Sequence, residues 1–280
     1  MMRRLLSAIG SRLPASLLRR VGAWRWTGPL AGKLIASSSD WIRRHDVIIS
    51  HGVAAGLRFN AAGANAGYAI GTTEPLVQEA VRTIVRPRDV VYDIGANVGF
   101  FTVLAARLVG PAGAVIAFEP LPETAKAARR NADLNGFTHA TVLTYAAGKR
   151  GGTAQLELRE ESTWARLADE LSTGPTVEVE IVAIDDLVDA GTIRPPDFAK
   201  IDVEGAELDV IEGMRRTIAA HHPVILCEMH GKNAAFASLM ESLGYTVRTL
   251  ENNLPLAEAR WDVHAVATPR APGTLARPSR

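Results

Sequence analysis

The sequence predicts an α/β fold, a mostly parallel sheet with helices on both faces, and three observations carry that prediction. Short apolar runs recur at 89–94, 114–118, 141–145, 198–202 and 223–228. Between most of them lie segments with helical apolar spacing, at 98–109, 122–134, 205–219 and 233–243. Glycine and proline turns such as Gly110-Pro111 and Asn135-Gly136 separate the two kinds. Strands alternating with helices of that length imply parallel pairing, because only a crossover helix returns the chain to start a parallel neighbour.

The elements follow in chain order. Residues 1–45 hold Leu5, Leu6, Ile9, Leu13, Leu17 and Leu18 among arginines. This extension is expected to be either a basic amphipathic helix touching an anionic membrane surface or a partner, or a poorly ordered or core-packed leader whose arginines face water. Pro14 and nearby serines weaken the helix. Residues 46–74 are short and glycine-broken, and one or two strands or loops are expected there. Glu74-Pro75 opens a helix, with proline tolerated in its first turn. The main domain is expected over 46–267. It carries an insertion after its third strand, in which 153–158 and 177–182 alternate with period two as half-exposed strands. The polar loop 159–175, with Trp164, is a candidate lid. A strand pair at 245–250 and 263–267 closes the domain, and the proline-rich 268–280 is expected to be a disordered tail.

Bulk properties narrow the class of function. The chain has 280 residues and a net charge of +1, with 47% hydrophobic and 22% charged residues. The nine basic residues within 1–26 and 267–280 have no acid beside them, which leaves 22 bases against 30 acids in the middle. An acidic centre argues against a nucleic-acid footprint. Cys227 is the only cysteine, so a disulfide framework and a CxxC metal site are both excluded within the chain. No run approaches the roughly 18 apolar residues of a membrane span. A cytoplasmic location is expected, peripheral to the membrane if the basic extension docks there.

The centre of the pattern is Asp93-Ile-Gly-Ala-Asn-Val-Gly99, a glycine turn at the end of an apolar strand. A dinucleotide site needs a glycine where the backbone meets a pyrophosphate. Asn97 stands at that place, and Asp93 would repel phosphate. Both suit a ligand with an ammonium and a ribose, S-adenosylmethionine. Glu119, ending the next strand, offers two carboxylate oxygens to a ribose diol.

Two further strand ends carry ionisable groups. In Lys200-Ile-Asp-Val-Glu-Gly-Ala-Glu207, an extended chain would turn Asp202 and Glu204 to one side. In Leu226-Cys-Glu-Met-His230, Glu228 and His230 alternate in the same way. Buried charge needs a partner or a task. Either these groups cap helices and pair with one another, or they serve an acceptor. In the second case Asp202 and Glu204 act, with Lys200 and His230 assisting, and His230 is a candidate base near neutral pH.

Asp93-Ile-Gly-Ala-Asn-Val-Gly99, Phe118-Glu-Pro120 and the Lys200–Glu207 run together resemble the FkbM family of S-adenosylmethionine-dependent methyltransferases, over roughly 70–250. The resemblance implies a Rossmann-like class I methyltransferase fold, with a central seven-stranded sheet and one antiparallel strand near its edge. It also implies methyl transfer, usually to a hydroxyl oxygen of a sugar, glycolipid or secondary metabolite. The candidate cofactor residues are Glu74, Asp93, Gly95, Asn97, Gly99, Glu119 and Ala146. Ala146 enters because the third strand ends in Tyr145-Ala-Ala-Gly148, without the acid that often meets adenine, so backbone groups would do that work. A divalent metal held by Asp202, Glu204 and Glu228 stays open, as does the oligomeric state. The competing readings are an NAD-dependent oxidoreductase and a non-catalytic cofactor-binding or membrane-docked scaffold.

Overall fold

The apolar run before the glycine turn becomes the middle of the main sheet. The computed structural model describes residues 41–158, 165–167, 174–259 and 262–270. The expectations for the basic extension before residue 41, for most of the 159–175 lid and for the tail beyond 270 lie outside the described residues.

In chain order the strands are β1 (Val47–Ile48), β2 (Arg58–Phe59), β3 (Val90–Ile94), β4 (Ala114–Phe118), β5 (Ala140–Leu143), β6 (Ala146–Ala147) and β7 (Gly152–Leu158). They continue with β8 (Ala165–Leu167), β9 (Thr176–Val182), β10 (Phe198–Ile201), β11 (Val224–His230), β12 (Tyr245–Thr249) and β13 (Asp262–Pro269). The helices are α1 (Ala66–Ile70), α2 (Pro75–Ile84), α3 (Phe100–Val109), α4 (Pro122–Leu134), α5 (Ile184–Asp189), α6 (Glu207–Gly213), α7 (Arg215–His221) and α8 (Asn233–Ser242).

Seven strands form the main sheet in the order β12-β13-β11-β10-β3-β4-β5. β3, β4, β5, β10 and β11 pair in parallel, and β13 runs antiparallel to both neighbours. Every residue of β3 is buried, as a parallel strand covered on both faces demands. The chain moves outward from β3 through β4 to β5, then returns to β10 on the other side. That reversal opens a crevice at the carboxyl ends of β3 and β10, where open α/β sheets bind ligands.

The insertion forms a second sheet, β6-β9-β7-β8, with β7 and β9 antiparallel as their period-two pattern requires. The third strand ends earlier than expected, at Leu143, because Ala146 and Ala147 leave the main sheet to pair with Ile181 and Val182.

Two short helices escaped the sequence reading. α1 lies within the glycine-broken 46–74, where Asn65 accepts a hydrogen bond from Gly67 N at 2.8 Å and starts the turn. α5 precedes β10. The expected helix 205–219 is two helices joined at Met214, and α5 supplies the reason. Asp185 of α5, 2% exposed, accepts from Arg216 N at 2.9 Å, from Thr217 N at 2.8 Å and from the Thr217 hydroxyl at 2.7 Å. A carboxylate on first-turn amides is a helix start, so the chain restarts there instead of running through.

The amino-terminal lobe is fastened to α4 by two asparagines. Asn131, fully buried, accepts from Asn60 N at 2.8 Å and donates to Asn60 O at 2.9 Å and Val98 O at 2.8 Å. Asn135 makes the same two-way bond to Arg58 N and O. Beneath them Ile49, Leu57 and Phe59 pack with Val103 and Leu104 of α3 in one apolar cluster. The lobe is thereby fixed over the crevice and brings Tyr68 and Glu74 to its rim.

Asp185→Ala removes three hydrogen bonds, two of them buried, and leaves the start of α7 uncapped. Chemical denaturation should show a loss of about 2–3 kcal/mol with the m-value unchanged. A loss below about half a kcal/mol would show that α7 does not depend on this carboxylate.

Candidate active site

The crevice is a cavity of about 590 Å³, in the range of small-molecule sites. Gly95, Asn97, Glu119, Ala146, Asp202, Glu204 and Glu228 line it, together with Glu74 and Tyr68 from the amino-terminal lobe. Four strand ends and one loop thus deliver most of the sequence candidates to one wall or another of a single space.

Glu119 lines the cavity and is 6% exposed. Its Oε2 accepts from Asn97 N at 2.9 Å and its Oε1 from Leu121 N at 3.0 Å. Each oxygen keeps lone-pair capacity for one more donor, which is what a vicinal diol needs. Burial pushes its pKa from 4.5 up to about 7, against the two amides that favour the anion. Asn97 holds a left-handed φ of 50°, and that conformation aims its amide at Glu119.

The glycines act mainly through packing. A Cβ on Gly95 would lie 1.8 Å from the carbonyl of Asp202, so β3 and β10 could not approach as they do. Gly99 does not reach the cavity. A Cβ there would meet Ala128 of α4 at 2.9 Å, and its role is the close contact of α3 with α4.

Asp93 also sits below the cavity wall, 2% exposed, with Oδ2 accepting the Thr102 hydroxyl at 2.5 Å and Oδ1 unpartnered. Burial raises its pKa, with Lys200 and Thr102 opposing. A pocket of about 10 Å³, bounded by Tyr68, Asp93, Lys200 and Asp202 among others, adjoins it. Ala146 lines the main cavity while in register with Ile181 of β9.

Lys200 does not line the main cavity; 4% exposed, it donates to Asp202 Oδ2 at 3.0 Å and lies 4.7 Å from the centre of the Phe101 ring. Burial works against its charge, but Asp202, Glu74 and Asp93 outweigh it and hold the ammonium above its ordinary pKa. β10 ends at Ile201, and Glu204 has φ 47°. The period-two alternation expected to align Asp202 with Glu204 therefore does not apply. A turn aligns them instead, and both still line the cavity.

His230 has Nδ1 2.8 Å from Glu207 Oε1 and Nε2 3.6 Å from Glu204 Oε2. The Glu207 hydrogen bond, opposed by burial and helped by Glu204 and Asp202, raises its pKa to about 9. That direction favours a protonated, hydrogen-bond-donating imidazole over the general base that the sequence suggested.

The sequence reading missed Tyr68, Glu207 and His264. His264 faces Glu228 across the β11–β13 register, with Nε2 3.6 Å from Glu228 Oε2 and Nδ1 2.7 Å from Glu251 Oε1. An antiparallel pairing of the expected 263–267 strand with 223–228 would have found it. Glu228 feels burial raising its pKa, but His264, Lys200 and His230 prevail and lower it. The donor atoms of Asp202, Glu228 and His230 lie within 4.8 Å of one another, as do those of Glu74, Glu228 and His264. Glu204, expected as a metal ligand, belongs to neither group. Among the described residues no helix is long and apolar enough to cross a membrane.

A seven-stranded sheet with β13 reversed, a glycine turn after its central strand and an acid after the next define the class I S-adenosylmethionine-dependent methyltransferase fold. The profile of the Methyltransferase FkbM domain matches residues 93–249, more than half of the chain, and the chain belongs to that family. It is 27% identical over 156 residues to the hexuronic acid methyltransferase AglP of Haloferax volcanii, an alignment covering 55% of this chain and 62% of that protein. It is 29% identical over 221 residues to the 31-O-demethyl-FK506 methyltransferase FkbM of Streptomyces tacrolimicus, covering 68% and 84%. The solved structure of a Methyltransferase FkbM from Methylobacillus flagellatus superposes with a TM-score of 0.45 at 19% identity, over 72% of this chain and 52% of that one. Family membership sets aside the oxidoreductase reading.

Glu119 gives a pH signature. Its folded pKa lies above 4.5, so its contribution to stability is fully present below pH 4.5 and is lost as pH rises through about 7. Urea midpoints should show the wild type losing ground to Glu119→Gln across that window. A difference independent of pH would contradict the buried, perturbed carboxyl.

Proposed function

We propose that the chain transfers a methyl group from S-adenosylmethionine to a hydroxyl oxygen of a sugar, glycolipid or secondary metabolite. The observation that carries this reading is one cavity lined by both Glu119 and Asp202, with Lys200 buried behind Asp202 and bonded to it. Glu119 is suited to the ribose diol, Asn97 and Gly95 to the turn beneath it, and the backbone around Ala146 to the adenine edge. Asp93 and Glu74 supply the acidic surroundings that favour an ammonium, and the Tyr68 phenol lines the same wall. The names of the two relatives, one for hexuronic acid and one for 31-O-demethyl-FK506, support an oxygen target. The chain spans 62% of the first relative's length.

The donor supplies an already activated methyl carbon, and the residues of the chain do the rest. Alignment of the acceptor oxygen contributes most, up to about 7–11 kcal/mol in favourable systems. Asp202 takes the hydroxyl proton as the oxygen forms its bond to carbon and the sulfur keeps the electrons of the broken bond. Lys200 fixes the Asp202 carboxylate and balances its charge. Glu204 orients the acceptor by a hydrogen bond, and His230, 3.6 Å from it, positions its carboxylate. Contact of the basic residues 1–26 with an anionic membrane would bring a lipid-linked acceptor to the cavity.

Radiolabelled S-adenosylmethionine with a panel of uronic acids, glycolipids and hydroxylated metabolites tests this reading. The expected product retains its label in mild alkali, as a methyl ether does and a methyl ester does not. Asp202→Asn should lower kcat by about 10²–10⁴-fold with little change in calorimetric donor binding. Full activity in that variant would remove Asp202 as the base.

A further inference from the structure

We propose that Glu74, Glu228 and His264 form a divalent-cation site at the wall of the cavity, separate from the Lys200–Asp202 pair. Their ligand atoms lie within 4.8 Å of one another, a separation that one ion at about 2.0–2.4 Å from each can span. Glu74 Oε2 and His264 Nε2 are both sealed from solvent with no partner at hydrogen-bond distance, Nε2 standing 3.6 Å from Glu228 Oε2. Leaving two such atoms unsatisfied is costly, and a cation between them and Glu228 satisfies both at once.

The histidine is prepared as metal-binding histidines are. Its Nδ1 is 2.7 Å from Glu251 Oε1, and the same oxygen accepts from the backbone N of His264 at 3.0 Å. In the neutral imidazole a carboxylate on Nδ1 fixes the tautomer that leaves the Nε2 lone pair for an ion, which binds in place of the proton that Nε2 would otherwise share with Glu228. Three elements remote in sequence converge here: the loop before α2, β11 and β13. The neighbouring set, Asp202 with Glu228 and His230, is less suited because Asp202 is held by Lys200 at 3.0 Å.

One imidazole and two carboxylates suit a borderline ion such as Mn²⁺ or Zn²⁺ better than Ca²⁺. Glu74 and Glu228 line the cavity, so the remaining coordination positions face the acceptor. Use of the ion in transfer, by holding acceptor oxygens, rests on the reading of the preceding section. Binding of the ion does not.

The full chain, stripped with chelator, is titrated with MnCl₂ and the bound ion counted by electron paramagnetic resonance. Donor binding is measured calorimetrically on the same samples. About one Mn²⁺ per chain is expected, with affinity reduced at least tenfold in His264→Gln and about 10–100-fold in Glu251→Gln. Donor binding should persist in both variants and serves as the check on folding. Where a variant does not fold, ¹⁵N spectra of histidine-labelled wild type answer instead, since Zn²⁺ should move the His264 Nε2 signal. No stoichiometric ion, an unchanged affinity in His264→Gln or an unmoved Nε2 signal would each overturn the site. An ion that binds while methyl transfer is indifferent to chelator would leave the site standing and remove its use in the reaction.

Discussion

Lys200 sits almost wholly buried on β10, in register with Asp93 of β3 on one side and with Leu226 of β11 on the other. Its ammonium is the counter-charge for Asp93, Asp202 and Glu74. Without it, three carboxylates beneath one cavity would repel one another in a medium that screens poorly, and each would have to take up a proton. The aliphatic stem packs in the sheet while the head rests over Phe101 and against Asp202. The carboxylates of Asp93, Asp202 and Glu74 therefore share a counter-charge fixed by the central strands. The glycine turn depends on the same region, since Gly95 can lie against the Asp202 carbonyl only because it has no Cβ.

Much of this was legible in the sequence because it is local. An apolar run ending in Asp93, a turn through Gly95 and an acid at Glu119 announce a strand end and a ligand side without knowledge of any partner strand. What was not legible depends on contacts between distant segments. Asn131 and Asn135 look like ordinary polar residues late in a helix, and only the docked Arg58–Asn60 segment gives them their task. The break at Met214 reflects Asp185, some 30 positions upstream. His264 acquires meaning only through the register that sets it opposite Glu228. The alternation argument for Asp202 and Glu204 failed for a simpler reason: it assumed that the strand continued past Ile201.

The glycine turn also divides its labour differently from its motif. Gly99 and Asp93 serve the scaffold first, as helix contact and buried acid, while Asn97 and Glu119 face the ligand side. A motif read as a list of contacts to one ligand merges these roles. In three dimensions Gly95 and Asn97 both shape the turn and line the cavity, whereas Gly99 and Asp93 lie behind its wall.

The reversed strand has a consequence for how the molecule is made. β13 is the last described strand, yet it lies between β12 and β11, inside the sheet. While the polypeptide is being synthesised, β11 must wait, with one edge unpaired, until residues 262–269 have been added. An apolar strand with an open edge is a template for pairing with another chain. The nascent protein therefore passes through an interval of exposure to aggregation, closed only by the segment that also brings His264 opposite Glu228.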